Sequence, residues 1–266
     1  MSASGAVGSR SAPEAGPAPA ADALPCLDIL GIPVLAATTP EAVRMIDRRC
    51  AAGDPFGVAF LNAHGSNLAA RDPRFAEALR GMLVLNDGVG VDIAARMLAG
   101  RGFPENLNGT DFLPAFLADT ARQHRVFLLG GRSGVAERAA AAIAAGHPRH
   151  RVVGARHGYF DAAETQAVIE AIRASGATLL LVALGNPAQE LWIGRHLAAT
   201  GVQVAFGVGA LFDFLAGEVS RAPAFVRRTR LEWAWRLMLE PKRLFRRYVL
   251  GNPLFLMRVM RRRLLG

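Results

Sequence analysis

Cysteine is almost missing from this 266-residue chain, which carries only Cys26 and Cys50. Without a CxxC spacing, these two exclude a disulfide framework and a thiolate metal site, and they read as idle thiols of a reducing compartment. No stretch reaches the roughly 18 uninterrupted apolar residues that a membrane-crossing helix needs. Residues 1–24 are rich in Ala, Ser, Gly and Pro and have no continuous apolar core. They read as a disordered tail rather than a secretory signal. There is no Walker A loop, no GxGxxG fingerprint, no metal-ligand cluster and no DxD tripeptide. No cofactor and no resident metal are therefore expected, although a phosphorylated substrate can carry Mg²⁺ in with it.

Negative charge is scarce in one place only. From residue 221 to 266 there are 13 Lys/Arg against 2 Asp/Glu, a net of +11, while the whole chain carries +9, so residues 1–220 sum to −2. A near-neutral body thus bears a cationic appendage that calls for a polyanion, either an anionic membrane surface or a nucleic acid. The arginines alternate with large aliphatic residues. Arg243, Arg246 and Arg247 interleave with Leu244, Phe245, Tyr248 and Val249; Arg258, Arg261 and Arg262 flank Met257, Val259 and Met260. That pattern fits a basic amphipathic helix lying in the headgroup plane. Single-strand binding would favour exposed stacking aromatics instead, so no nucleic acid is expected. Trp233, Trp235 and Tyr248 serve either as interfacial anchors or as packing against the body.

What remains is a chain of 52% hydrophobic residues, typical of a domain rich in core. Short apolar runs bounded by glycine alternate with helical periodicity. The runs predict strands at 56–61, 82–85, 125–129, 151–155, 178–184 and 202–206. Helices are predicted at 66–80, 90–98, 111–122, 135–145, 162–174 and 188–200. This alternation predicts an α/β fold: a mainly parallel, Rossmann-like sheet with helices on both faces and a helical basic appendage at the C-terminus. The expected division is a tail over 1–24, a catalytic domain over 25–217 and a membrane-targeting appendage over 218–266.

Ligands of open α/β sheets sit at the carboxyl ends of the strands, so the residues after each strand are the candidates. Asn62-Ala-His64-Gly-Ser-Asn67 follows the first strand; Asn62 and Ser66 suit helix caps, a reading preferred here to His64 as a proton carrier. Asn86-Asp87-Gly88 follows the second, and Asp87 stands equally well as a turn former or a general base. Gly130-Gly131-Arg132-Ser133-Gly134 precedes a helix and offers backbone N–H groups to a diphosphate, or is an ordinary tight turn. Gly185-Asn186-Pro187-Ala188-Gln189 opens another helix, and Gln189 either caps it or holds a sugar or phosphate oxygen.

Taken in order, these stretches resemble the WecG/TagA/CpsF glycosyltransferase family (glycosyltransferase family 26). The matching motifs are Leu85-Asn-Asp-Gly-Val-Gly-Val91, Asn108-Gly-Thr-Asp111, Phe127-Leu-Leu-Gly-Gly131 and His157-Gly-Tyr-Phe160. They continue through Leu184-Gly-Asn-Pro-Ala-Gln-Glu190, Gly207-Val-Gly-Ala-Leu-Phe-Asp213, Arg221-Ala-Pro223, Leu231-Glu-Trp233 with Trp235-Arg236, and Glu240-Pro-Lys-Arg243. The resemblance implies an inverting transferase that moves a sugar from a UDP-sugar to a polyprenyl-diphosphate-linked monosaccharide, peripherally bound at the cytoplasmic face of the membrane. It places Asp87 as general base and puts Asn62, Asn106, Asp111, Gly130, Gly131, Tyr159, Gln189 and Arg221 around the substrates. Two positions depart from the usual pattern: Phe60 replaces a Thr and Asn106 an Arg, which leaves a phosphate contact to Arg221 or another appendage arginine. The wording around Asn108 is most like the exopolysaccharide branch and implies glucose as the donor sugar. An N-acetylmannosaminyl transferase for surface-polymer linkage units is the alternative, and a non-catalytic membrane scaffold is the rival from another class. Self-association through the apolar side of the appendage is a further expectation.

Overall fold

The computed structural model describes residues 24–220, 232–239 and 241–265. The expected tail, apart from Leu24, and Arg221 lie outside the described residues, as does the side chain of Arg243. Six strands form one sheet: β3 (Phe56–Leu61), β4 (Leu83–Asn86), β5 (Arg125–Gly130), β6 (Arg151–Arg156), β7 (Leu179–Ala183) and β8 (Val204–Gly207). Their order is β4-β3-β8-β7-β5-β6, and every pairing is parallel. The expected parallel α/β architecture is thus present. Both faces are covered, which is why β3, β4 and β8 are buried along their whole length rather than on alternate residues.

Helices α1 (Thr39–Ala52), α5 (Gly109–Asp119), α6 (Val135–Gly146) and α9 (Leu211–Leu215) cover one face. Their Ile46, Phe112, Phe116, Ile143 and Phe212 pack with Val58, Leu85, Val126 and Leu128 of the strands. The other face carries α2 (Ala63–Ala69), α3 (Pro73–Arg80), α4 (Val89–Ala99), α7 (Thr165–Ser175) and α8 (Ala188–Thr200). After it come α10 (Glu232–Leu239), α11 (Pro241–Phe245), a five-residue π-helix (Arg246–Leu250) and α12 (Gly251–Leu265). Phe255 and Val259 of α12 are wholly buried in the same apolar cluster as Ala59, Leu61 and Val84, so the last helix is docked on the body.

Two local features differ from the sequence expectation. The single helix expected over 66–80 is two, because Asp72 is extended (φ −120°, ψ 102°) before Pro73 and caps α3 with a side-chain bond to the Arg74 N–H. An antiparallel hairpin, β1 (Cys26–Ile29) with β2 (Ile32–Leu35), and the helix α1 precede the first expected strand. The hairpin turns through Leu30 (φ 54°) and Gly31 (φ 87°), both left-handed, as a two-residue turn of this twist requires.

Candidate active site

A parallel sheet points every strand's carboxyl end to one edge. A cleft of about 1640 Å³ opens there, lined by the residues that follow β3, β4, β5, β6, β7 and β8 and by the C-terminal segment. Asn62, Asp87, Gly131, Tyr159 and Gln189 all line it, although their positions span more than a hundred residues of sequence. The amino ends of α2, α5 and α8 face the same edge, adding the positive ends of three helix dipoles.

Asp87 is the best-braced group. The Asn62 side chain accepts from the Gly65 N–H at 3.0 Å, capping α2, and its Nδ2 donates to Asp87 Oδ2 at 3.0 Å. Asn62 is therefore both the expected cap and a cleft residue. The Asp87 N–H donates to Leu61 O at 2.8 Å, tying the turn after β4 to β3. Asn106 acts from beneath: its Oδ1 accepts from the Gly88 N–H at 2.8 Å, and it does not line the cleft. At the position where an arginine was noted as usual, this chain has a brace for the Asp87 turn. Asp111 likewise stays out of the cleft wall, exchanging bonds with Asn108 at the start of α5, while Gly109 and Thr110 face the cleft.

In the glycine turn after β5, Gly131 is already bonded through both its N–H and its carbonyl. The Gly131 N–H donates to Ala183 O at 3.0 Å, and Gly131 O accepts from the Gly158 N–H at 2.9 Å. These groups hold the end of β5 against the end of β7 and the turn that follows β6. Gly130 lies under the wall at φ 136°, where a Cβ would stand 2.4 Å from Ala183 O. The next residue, Arg132, faces the cleft and lies 3.6 Å from Glu218, which also pairs with Arg138. Tyr159 stands at the rim with 71% of its surface exposed. Gln189 is buried, and its Oε1 accepts from the Gly209 N–H at 3.0 Å.

The appendage arginines divide. Arg246 and Arg247, presented by the π-helix, line the cleft beside His64, Asn67 and Arg71. Burial first, and then the charge of Arg247, pushes the His64 pKa down to about 4, so the imidazole is neutral at physiological pH. Arg258 turns inward, donating to Asn67 Oδ1 at 2.8 Å while Asn67 Nδ2 donates to Gly251 O at 2.7 Å. Arg261 and Arg262 are exposed next to Met257, Met260, Leu264 and Leu265, each more than half exposed. The cleft is thus cationic on the side of α2 and the C-terminal segment, and it carries Asp213 and Glu218 on the opposite wall. Among the described residues no group of His, Cys, Asp and Glu is arranged to hold a metal, and no helix is long and apolar enough to cross a membrane.

Sequence reasoning left out Thr110, Asn186, Asp213 and Arg71, and set His64 aside. Asn186 and Asp213 stand within motifs already noted, so their motif membership was the available signal. Arg71 lies in the turn between α2 and α3 and lines the cleft together with Arg246 and Arg247 of the C-terminal segment, a juxtaposition no local pattern announces.

A protein of Bacillus spizizenii named N-acetylglucosaminyldiphosphoundecaprenol N-acetyl-beta-D-mannosaminyltransferase is 32% identical to this chain over 178 residues, covering 66% of this chain and 68% of its own length. The family model "Glycosyl transferase WecG/TagA/CpsF family" matches residues 27–266, taking in every strand of the sheet, the cleft and the C-terminal helices. With that span matched, the chain belongs to the WecG/TagA/CpsF family of glycosyl transferases.

Proposed function

We propose that this transferase moves an N-acetylmannosamine-type hexosyl group from a UDP-sugar to a monosaccharide carried on a polyprenyl diphosphate, with Asp87 as general base. The sequence reading had put glucose first. The name of the Bacillus spizizenii relative supports the N-acetylmannosaminyl alternative better. The observation that carries the mechanism is the braced carboxylate at the strand edge: Asp87 in the cleft wall, held through Oδ2 by Asn62 and through its backbone by Leu61. With Oδ2 committed, Oδ1 takes the proton of the acceptor hydroxyl as that oxygen attacks the anomeric carbon from the face opposite UDP. The anomeric C–O bond to UDP breaks, and the configuration inverts. Assistance of this kind is worth about 10²–10⁴-fold. UDP leaves with developing negative charge, which Arg246 and Arg247 on the cationic wall neutralise.

A lipid acceptor does not leave the bilayer, so the protein must come to it. The exposed Met257, Met260, Leu264 and Leu265 with Arg261 and Arg262 form the surface suited to an anionic membrane face. The experiment is transfer from a panel of UDP-sugars, UDP-N-acetylmannosamine and UDP-glucose among them, to polyprenyl-diphosphate-linked N-acetylglucosamine and glucose in anionic micelles. Wild type is compared with Asp87→Asn. Transfer that falls about 10²-fold or more in the variant supports the reading. Near-wild-type turnover in folded Asp87→Asn removes Asp87 from the role.

A further inference from the structure

Glu190 follows Gln189 on α8 and is fully buried at 0% exposure. It does not reach the cleft. Its Oε1 accepts two amide hydrogen bonds, from Asn186 Nδ2 at 2.5 Å and from Gln189 Nε2 at 2.9 Å. Its Oε2 is buried with no partner among the described residues. A buried carboxyl without a counter-charge is among the costliest groups a core can hold, and a Met or Leu would fill the same space more cheaply. Burial pushes its pKa up to about 7, against which the bond from Gln189 acts in the opposite direction.

The two amides that spend a donor on Glu190 both line the cleft. Each has two ways to lie, with nitrogen and oxygen exchanged. For Gln189 a flip would turn Nε2 toward the Gly209 N–H that Oε1 now accepts, and Oε1 toward Glu190. Donor would face donor, and acceptor would face acceptor. The side chain has room for its present position because residue 207 is glycine; a Cβ there would lie 2.9 Å from Gln189 Nε2. For Asn186 the bond to Glu190 sets the orientation.

We propose that Glu190 is a positioning residue of the donor site, holding the amides of Asn186 and Gln189 with their nitrogens turned inward so that the cleft wall meets a hydroxyl-rich nucleotide sugar with one fixed pattern of donors and acceptors. Glu190 contacts the substrate only through these two side chains. The role of the site rests on the transferase reading above; the orientation of the amides does not.

The test compares wild type with Glu190→Met, which matches the side chain in length and has no acceptor, and with Glu190→Gln, which retains one oxygen. Side-chain amide signals of Asn186 and Gln189, assigned by nitrogen-15 NMR, are read first. They should shift on Glu190→Met and shift less on Glu190→Gln. In the transfer assay, Glu190→Met should raise KM for the UDP-sugar about tenfold with kcat changed far less, the size expected for losing the bonds that orient two amides, and Glu190→Gln should raise it less. Unmoved amide signals in Glu190→Met overturn the proposal. So does a KM rise as large in Glu190→Gln as in Glu190→Met, or a fall in kcat at constant KM. If wild type binds no UDP-sugar, the transferase assignment fails, and the amide signals alone decide the role of Glu190.

Discussion

Replacing Phe255 by alanine should release the C-terminal helix from the body before the body itself unfolds. Phe255 is fully buried against the outer face of α2 and α4, with a ring carbon 3.9 Å from where a Cβ would sit on Gly90. Removing a buried phenyl costs about 3–5 kcal/mol. The other ties of α12 include buried Val259, partly buried Leu256, the Asn67–Gly251 bond at 2.7 Å, and the Arg258 guanidinium on Asn67 Oδ1 at 2.8 Å. Hydrogen bonds of these kinds contribute about 0.5–3 kcal/mol each. The rest of the helix surface, from Met260 to Leu265, is exposed. The ring therefore supplies a large share of docking, and its loss should raise the open population of residues 251–265 by about 10²–10³-fold, taking about 1.4 kcal/mol per factor of ten. Amide hydrogen exchange read by mass spectrometry on peptides covering 251–265 measures this directly. Peptides covering 63–71 should follow, because Asn67 loses both its partners. Protection unchanged over 251–265, with the global unfolding midpoint lowered by the full amount, would show that α12 opens only together with the sheet. That outcome would refute the reasoning.

Three further outcomes follow from single sites. His124 is 2% exposed, and burial first, then His150, holds its pKa at about 4 against an ordinary 6.5. Because the folded value is depressed, this group's contribution is complete above pH ~6.5 and is lost as pH falls toward 4, by about 3 kcal/mol in all. Urea unfolding between pH 7 and 4 should show that loss, and His124→Phe should reduce it, leaving the share of His64, whose pKa is also held at about 4; an unchanged slope in the variant would exclude His124 as a source. Gly130→Ala should cost about 3 kcal/mol or more, since the new Cβ meets Ala183 O at 2.4 Å on a backbone at φ 136°. A wild-type denaturation midpoint would refute the close approach of the two strand ends. Asn106→Ala should lower kcat about tenfold while leaving KM for the donor nearly unchanged, because it frees the Gly88 N–H behind Asp87 without touching the cleft. A change confined to KM would instead place Asn106 on the substrate.

Much of the fold was legible because it rests on local chemistry. Apart from the edge strand β6, the sheet strands are apolar runs followed closely by Gly or Asn, as strands of a parallel sheet buried on both faces are. The strand-end residues Asn62, Asp87 and Gln189 were found for the same reason: parallel order alone carries them to one edge. The hairpin before α1 was not found, since its turn, Leu30-Gly31, lacks the Asn-Gly or Asp-Gly signal, and leucine at φ 54° is held there by its surroundings. Asn106 and Gly131 were placed on the substrate by motif, but a motif does not record where a side chain or an N–H is already spent. One braces the Gly88 N–H and the other donates to Ala183 O.

The cationic segment shows most clearly where a pattern stops carrying information. Its alternation of arginine and aliphatic residues was read chiefly as an amphipathic surface for the membrane, with an appendage arginine also reaching a phosphate. Residues Arg246–Leu250 wind as a π-helix, however, between α11 and α12. One extra residue in a turn rotates everything after it by about 100° relative to an unbroken helix. Before and within that turn, Leu244, Arg246, Arg247 and Leu250 face the cleft. After it, Phe255 and Val259 face the core, and Met257, Met260 and Leu264 face outward. The same composition therefore serves three surfaces in succession: a wall of the cleft, a docking face and an exposed apolar strip with Arg261 and Arg262 beside it. Charge and hydrophobicity fixed that the segment needs partners, and only the phase of the helix decides which residue meets which. Between the cleft wall and the exposed strip, Phe255 and Val259 hold α12 on the body, so the docking face fixes the phase of both.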